Sequence, residues 1–463
     1  MTNLDAKQRN RILALLFVGV LMAALDIAIV GPALPSIRAE FGIDARQAAW
    51  IFTMYVLCNL VSTPLMARFS DMFGRRLVYV LDVALFGVGS LLVAFSPTFA
   101  VLVLGRAVQG LGAGGIFPVA SAVIGDTFPV EQRGSALGLI GAVFGIAFLV
   151  GPLLAGVMLS VLSWHWLFLI NLPIAVALMW GGWRLLPATR MQTSATFDVV
   201  GTVLLVVVLS TLTYGINQID TTQVAASLRR GNVLGAWLLF LLSAPIFVWW
   251  ELCVETPVIQ MRLFQSVQIV LTCAFAFGAG FGEASFVFVP DLLVAALGVA
   301  SSTASFMLLP AVLAMAVGSP LFGRMLDRVG ARPVVASATG LAALGLLVLG
   351  GVPLSRLSFY AAALLIGLGL SGLLGAALRY IMLQEAPREE RASAQGVLTL
   401  FTSVGQLVGG AWIGALAVSR GEPVAGYQTA FLSVGLMMGV LWLLSFRLAA
   451  RPVSEAPAAM ESN

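Results

Sequence analysis

Three charged side chains stand inside long apolar stretches of the chain: Asp26, Arg106 and Glu283. A charge within a membrane costs several kcal/mol unless it is paired or faces water, so each is a candidate functional residue. Asp26 lies about nine residues before Pro35, and Arg106 lies about eight residues after Thr98. At ~1.5 Å of rise per helical residue, both lie roughly 12–13 Å below the same membrane surface. The sequence therefore allows an acid–base pair.

Proton binding and release is the chemistry available to such a pair. Desolvation favours the neutral form of Asp26 and a nearby Arg106 favours its carboxylate, so a change in their separation or in water access would move a proton. The alternative is a static ion pair that only fixes helix packing. Glu283, in the run AGFGEASF, is predicted to be a second titrating group, an anchor for a cationic substrate, or a carboxyl hydrogen-bonded inside a helix bundle.

Two further charged residues, Asp82 and Arg379, receive no single role from the sequence. Asp82 lies near one end of its apolar stretch, where gating and simple solvation fit it equally well. Arg379 also lies near an end, where a long side chain can extend to the interface.

Membrane helices are the elements that must position these residues. Of 463 residues, 60% are hydrophobic and 10% are charged, and the mean hydropathy is +1.01. That leaves too few charged side chains to cover a soluble globule. Apolar runs of about 20 residues, long enough to cross a hydrocarbon core of roughly 30 Å, recur along the chain. We predict an all-α polytopic protein in a lipid bilayer, without a nucleic-acid partner.

The predicted spans form groups of six, two and six, fourteen in all. They lie at about 12–35, 47–66, 77–96, 98–123, 134–160 and 166–186, then 198–216 and 232–250, then 267–292, 302–322, 332–352, 357–383, 393–418 and 427–447. The predicted units are an N-terminal six-helix bundle (12–187), two inserted helices with flanking interfacial segments (188–265), a C-terminal six-helix bundle (266–450) and a disordered tail (451–463).

A loop sequence repeats between the two bundles. ARFSDMFGRR, from 67 to 76, returns as GRMLDRVGAR, from 323 to 332, with an offset of 327 − 71 = 256 residues. The glycines, Gly74 in the first copy, allow the backbone angle that reverses the chain. Asp71 and Asp327 can pair with the arginines or face a helix N-terminus. The distribution of arginine and lysine places both loops and both termini on the cytoplasmic side of a cell membrane.

Small residues are dense in two of the spans. GRAVQGLGAGG contains Gly110, and GIAFLVGPLLAG contains Gly151 and Pro152. Such glycines let helices pack closely and slide, and the proline removes a helical hydrogen bond. These positions are predicted to matter for conformational change.

The residue inventory also limits the chemistry. Cys58, Cys253 and Cys273 lack metal-ligand spacing, and His165 is the single histidine. Lys7 is the only lysine, so a Walker A loop is absent from the sequence. We expect no metal and no cofactor, and because ATP hydrolysis by that route is excluded, we expect any uphill transport to draw on an ion gradient.

Several motifs together resemble the major facilitator superfamily, specifically its fourteen-span drug:proton antiporter branch. ARFSDMFGRR is similar to the family's loop signature between helices 2 and 3, with Ala67 at a usual glycine. LGRAVQGLGAG resembles the helix 4 signature, whose arginine, implicated in proton coupling, matches Arg106. LVGPLLAG resembles the antiporter signature of helix 5, with Ala147 and Ala155 at expected glycines.

Two more segments extend the resemblance over the whole chain. LDIAIVGPALP is similar to the helix 1 signature of that branch, whose acidic residue matches Asp26, and WHWLFLINLPI resembles its helix 6 entrance, with His165 at a usual arginine. The resemblance implies two six-helix bundles around a central cavity, with alternating access by rocking. It also implies that Asp71, Arg75 and Asp126 latch the cytoplasmic side.

The predicted function is proton-coupled export of hydrophobic, often cationic, drug-like compounds, with Asp26 and Arg106 in proton coupling and Glu283 and Asp26 facing the substrate. The alternative is export or flipping of a lipid, an amphiphile or a specific metabolite, in which Arg379 would contact an anion.

An intramembrane enzyme would need a Gly-x-Gly-Asp or Ser/His set, and VIGD at 123–126 lacks the first glycine. A channel would not couple to a pH gradient. We predict a functional monomer, because the internal repeat supplies both halves of the cavity.

Overall fold

The structure is a computed structural model that describes residues 5–43, 45–188, 198–219, 223–419 and 422–449. The predicted tail at 451–463 and most of the polar stretch at 187–198 lie outside these residues. Within them there are fourteen helices long and apolar enough to cross a membrane, and no strand. The predicted all-α fold and the number of spans are confirmed.

The spans are numbered α1 to α14 in chain order. The first seven are α1 (Ala6–Phe41), α2 (Trp50–Phe73), α3 (Arg75–Ala94), α4 (Phe99–Thr127), α5 (Val130–Val161), α6 (His165–Leu185) and α7 (Val199–Asn217). The second seven are α8 (Gly231–Cys253), α9 (Val267–Leu297), α10 (Thr303–Val329), α11 (Ala331–Gly351), α12 (Arg356–Glu385), α13 (Arg388–Ala417) and α14 (Val424–Ser445).

Helices α1–α6 pack into one bundle and α9–α14 into another. The bundles meet where α5 contacts α10 and where α2 contacts α13. Helices α7 and α8 pack against each other, and α7 also contacts α2 and α13. The inserted pair therefore lies at the periphery of the α2–α13 contact.

Besides α6 and α10, which are interrupted by single turn residues at Ile170 and Leu308, two spans are less regular than their apolar runs predict. Helix α9 is broken between Glu283 and Ser285, where the Val287 amide donates to the Ala284 carbonyl in a tightened turn. Pro290 follows, and its ring disfavours a regular helix over the preceding turn. Helix α12 contains a π-helical turn at Leu373–Ala377. Irregular turns inside helices are frequent at functional sites, and both of these border the cavity described below.

Candidate functional site

Asp26 and Arg106 form a buried ion pair between α1 and α4. The Asp26 Oδ2 atom lies 2.5 Å from the Arg106 Nη1 atom, and both side chains are fully buried. The other carboxylate oxygen accepts hydrogen bonds from the amides of Gln109 (3.1 Å) and Asn171 (3.2 Å). Those two amides also donate to the Ser90 hydroxyl. Asp26 of α1 therefore belongs to a hydrogen-bond network that includes side chains of α3, α4 and α6.

The Arg106 guanidinium is held from several directions. Its Nε atom donates to the Ile51 carbonyl over 3.1 Å, and its Nη1 atom donates to the Gln109 amide oxygen. The guanidinium carbon lies 4.2 Å from the centre of the Tyr55 ring, which is a cation–π geometry. Its Nη2 atom has no partner among the described residues. The equal depth read from the sequence thus corresponds to a direct contact in the structure.

A central cavity of about 610 Å³ lies between the two bundles. Its walls are mostly apolar, with contributions from Phe117, Phe144 and Phe148 of the first bundle. Its lining residues include two charged ones, Glu283 and Arg379, both from the second bundle. Such a site suits a hydrophobic ligand that carries a few polar groups.

Glu283 lies at the break in α9, facing this cavity. Its carboxylate forms no hydrogen bond or ion pair with another residue of the described ranges. Of the sequence alternatives, a carboxyl bonded inside the bundle does not match this geometry. A cavity-facing acid remains, as a titrating group or as an anchor for a cation.

Arg379 also faces the cavity, although the sequence allowed it to extend to the interface. It is 5% exposed and stacks on Phe117, with its guanidinium carbon 3.5 Å from the ring centre. Its Nη atoms donate to Gln395 (3.1 Å) and Thr399 (3.3 Å). No carboxylate of the described residues pairs with it. A buried guanidinium without a counter-charge is a potential anion contact.

Asp26 and Arg106 do not line this cavity in the structure. Tyr55 does line it, and Tyr55 also covers Arg106. The ion pair is therefore one side chain removed from the cavity space. Direct contact of Asp26 with a substrate stays a prediction that has no counterpart in this conformation.

At one membrane face, Asp71 joins the two bundles. The Asp71 carboxylate accepts hydrogen bonds from the Ala392 amide (3.1 Å), the Ser393 amide (2.7 Å) and the Ser393 hydroxyl (2.5 Å) at the start of α13. Arg75 bonds both Asp71 and Asp126, the latter over 3.1 Å. We call this face, which also holds Asp327, the latch face.

Arg391 completes this cluster from the second bundle. It bridges to the Asp126 carboxylate and the Gly125 carbonyl, each over 2.8 Å. The predicted grouping of Asp71, Arg75 and Asp126 is therefore present in the structure. Gly74 has the positive φ (96°) that the predicted chain reversal requires.

Asp327 makes the reciprocal contact from the second bundle to the first. Its carboxylate accepts hydrogen bonds from the amides of Gly134 and Ser135, each over 2.8 Å, and from the Ser135 hydroxyl, at the start of α5. Both repeated aspartates therefore face a helix N-terminus of the opposite bundle, where the backbone dipoles favour negative charge. Together they connect the two bundles at the latch face.

Ser135 and Ser393 are functional candidates that the sequence reasoning missed. They stand in a second repeat, PVEQRGSALG at 129–138 and PREERASAQG at 387–396, with an offset of 393 − 135 = 258 residues. The shared proline, glutamate, arginine, serine and glycine positions are readable from the sequence. Aligning the bundles beyond the first repeated loop would have found them.

The predicted conformational glycines lie at close helix contacts. A Cβ atom on Gly110 would stand 2.4 Å from the Tyr55 carbonyl oxygen on α2, and one on Gly151 would stand 2.5 Å from Ala28 on α1. Pro152 lies within α5, which runs unbroken through it. Their role in conformational change stays a prediction.

Asp82 is buried in the first bundle, not solvated. Both of its carboxyl oxygens lack a hydrogen-bond partner among the described residues. A Cβ atom on Gly115 of α4 would stand 2.0 Å from its Oδ2 atom, so glycine makes room for it. Asp82 does not line the central cavity.

Comparisons with known proteins agree with this architecture. The model of the Major Facilitator Superfamily matches residues 16–282 and 270–462. The MFS-type transporter YfiU of Bacillus subtilis is 32% identical over 406 residues, which cover 87% of this chain and 78% of YfiU. The multidrug transporter protein MdtP of the same organism is 27% identical over 427 residues, 90% of this chain and 77% of MdtP.

A solved structure shares the fold. The human organic anion transporter MFSD10 superimposes with a TM-score of 0.70 over 95% of this chain and 100% of that chain, at 16% sequence identity. At this identity, the likeness concerns the fold alone. With the family model matching most of its length and a relative above 30% identity, this chain belongs to the major facilitator superfamily and is a membrane transporter, not an enzyme.

Proposed function

We propose that this transporter exports hydrophobic, often cationic, drug-like compounds across the cell membrane in exchange for protons. The observation that carries the proposal is the unpaired Glu283 carboxylate in an otherwise mostly apolar cavity shared by the two bundles. A negative charge in apolar surroundings attracts a cation whose body fills the cavity. The name of MdtP supports the substrate class.

Proton coupling is assigned to Asp26. In its ionised form, it holds Arg106, Gln109 and Asn171 together across three helices, α1, α4 and α6. Protonation would remove the charge that Arg106 compensates, and burial makes an unpaired Arg106 costly. Tyr55 lies between this pair and the cavity, so it can transmit a change at the pair to a bound ligand.

The latch face is assigned to the cytoplasmic side, with both termini cytoplasmic. The hydrogen bonds of Asp71 and Asp327 close that face, and the cavity extends toward the opposite face, where Phe52, Asn217 and Ala411 line it. The structure then corresponds to the state that releases substrate outside. A monomer suffices, because both bundles contribute to one cavity.

The test is uptake of a fluorescent lipophilic cation into inside-out proteoliposomes with an acidic interior. Wild type should accumulate the cation in proportion to the pH gradient, and Asp26→Asn should abolish that dependence. Glu283→Gln should lower cation uptake at least tenfold while uptake of neutral compounds persists. Asp291→Asn, an exposed acid on the same helix as Glu283, is the matched control. Absence of wild-type uptake at every gradient would overturn the proposal.

Arg379 favours a second candidate, export of an anionic amphiphile. Its guanidinium faces the cavity without a carboxylate partner in the described part of the chain. In the same vesicles, a fluorescent lipophilic anion replaces the cation. Gradient-driven uptake of the anion that Arg379→Gln abolishes, together with no uptake of the cation, would establish this candidate in place of the first.

A further inference from the structure

A second pocket lies outside the central cavity, between α2 and the inserted pair α7 and α8. Its volume is about 580 Å³. Helix α7 contributes a row of polar side chains, and within the described part of the chain no charged side chain lines the pocket. Asn217 lines both this pocket and the central cavity. The two spaces therefore adjoin at that residue.

The pocket contains an unsatisfied polar group. Thr213 is 2% exposed and lines the pocket, and its hydroxyl has no hydrogen-bond partner among the described residues. The neighbouring Thr211 hydroxyl bonds back to the Val207 carbonyl, which satisfies it within the helix. An unsatisfied hydroxyl away from water carries a free-energy cost that a ligand atom can remove.

The pocket lies near the membrane face opposite the latch face. Helix α2 runs from Trp50 to Phe73, and the latch loop follows Phe73, so Trp50 marks the other end. Trp50 is 42% exposed, as expected for a ring at a membrane interface. Gly235 of α8 lines the pocket, and a Cβ atom added there would meet nothing within 4 Å. The space beside Gly235 is therefore not occupied by any described side chain.

We propose that this pocket binds a neutral amphiphile of the bilayer leaflet opposite the latch face, and that an exported amphiphile passes at Asn217 from the central cavity into this pocket and on to that leaflet. Hydroxyl and amide groups match an uncharged polar head, and the described lining residues offer no counter-charge to an ionic one. The inserted helices thereby form a lateral route. The proposed binding of the amphiphile depends only on the pocket, whereas its passage from the central cavity rests on the proposed export.

Photolabelling tests binding on the full chain in lipid vesicles. The probe is a long-chain alcohol with a diazirine in its tail, and labelled positions are mapped by mass spectrometry. Wild type should be labelled on the pocket-facing residues of α7 and α8, and Gly235→Phe, which fills the space, should lower that labelling at least fivefold. The matched control is Gly156→Phe, at an exposed glycine with equally open surroundings. Equal labelling in Gly235→Phe and wild type would overturn the pocket.

A second variant tests the polar contact without filling the pocket. Thr213→Val preserves shape and removes the hydroxyl, so labelling by the alcohol should fall about fivefold, the effect of one hydrogen bond. Labelling by the matching diazirine alkane should stay within twofold. A parallel loss for both probes would show that Thr213 does not bind the polar head, and would overturn the assigned chemistry.

Flux measurements test passage separately. Gly235→Phe should slow transport of a neutral lipid-soluble substrate severalfold and leave a permanently charged, water-soluble cation within twofold of wild type. Equal effects on both substrates, or none, would overturn the route. If wild type transports neither substrate, the proposed export fails, while the labelling result still decides whether the pocket binds.

Discussion

Asp71 and Asp327 accept equivalent hydrogen bonds from the opposite bundle, two from backbone amides and one from a serine hydroxyl, yet their surroundings differ. Asp71 also bonds Arg75, which in turn bonds Asp126. Asp327 forms no ion pair within the described ranges. In the repeat alignment, the residue equivalent to Arg75 is Ala331. One contact is a buried charge cluster, and the other is a helix cap.

The difference shows which contact depends on charge balance. Arg75 is 3% exposed, and removal of a partner leaves its charge buried and undercompensated. Asp327 compensates no arginine, so its loss removes hydrogen bonds and a dipole interaction only. We therefore expect the first copy to control closure of the latch face and the second to adjust it.

The largest effect is expected for Asp71→Asn. Loss of the charge deprives Arg75 of one carboxylate, at a cost on the order of 3 kcal/mol, roughly a hundredfold in the ratio of closed to open molecules. Phe73 and Val329 are exposed on the latch face. Spin labels attached to cysteines at these two positions, in a chain whose native cysteines are replaced, would report that ratio by double electron–electron resonance. Asp291→Asn should leave the distances unchanged. A wild-type distance distribution for Asp71→Asn would contradict the charge cluster.

Asp327→Asn should open the same face less. The asparagine carbonyl still accepts an amide hydrogen bond, and no arginine loses a partner, so about 1–2 kcal/mol is lost, near tenfold in the same ratio. The same spin-label pair measures it. An effect equal to that of Asp71→Asn would abolish the distinction between the two copies.

The helices were largely predictable from the sequence because each must present about 20 apolar residues to lipid. The break in α9 after Glu283 and the π-helical turn at Leu373–Ala377 were not predicted. Apolar composition is the same in a regular and an irregular helix, so hydropathy does not register either one. Local signals existed in Pro290 and in the glycines around Glu283, but their consequence depends on the neighbouring helices.

At the candidate site, the sequence identifies the charged residues but does not show which way their side chains point. An ionisable residue in a span is rare enough that Asp26, Arg106 and Glu283 could be singled out by type. Which of them faces the cavity depends on helix rotation, and the structure places Glu283 and Arg379 there while Tyr55 separates Arg106 from it. The sequence does not place Arg379 in the cavity, because a long side chain this close to the helix end can also reach the interface.

The serines that donate to the two aspartates, Ser393 and Ser135, test the comparison one hydroxyl group at a time. Ser393 is buried and Ser135 is partly exposed, so water replaces the lost hydroxyl more readily at Ser135. Ser393→Ala should lower the closed-to-open ratio about fivefold and Ser135→Ala about twofold. Adding Asp71→Asn to Ser393→Ala should give less than the combined effect of both changes, because the two residues share a hydrogen bond. Full additivity would show that the bond does not contribute to closure.

Ala331→Arg tests whether one arginine accounts for part of the difference between the copies. Residue 331 begins α11 directly after Gly330, as residue 75 begins α3 after Gly74, so the new guanidinium is placed to reach Asp327 as Arg75 reaches Asp71. A partly exposed pair contributes about 0.5 kcal/mol, so closed molecules should increase roughly twofold and transport should slow because opening becomes costlier. Ala331→Gln, similar in length and uncharged, is the control. If both variants behave like wild type, the arginine alone does not convert a helix cap into a charge cluster. The first repeat also contains the carboxylate of Asp126, and the second repeat has Gln384 at the equivalent position. A carboxylate at residue 384 would then be needed as well.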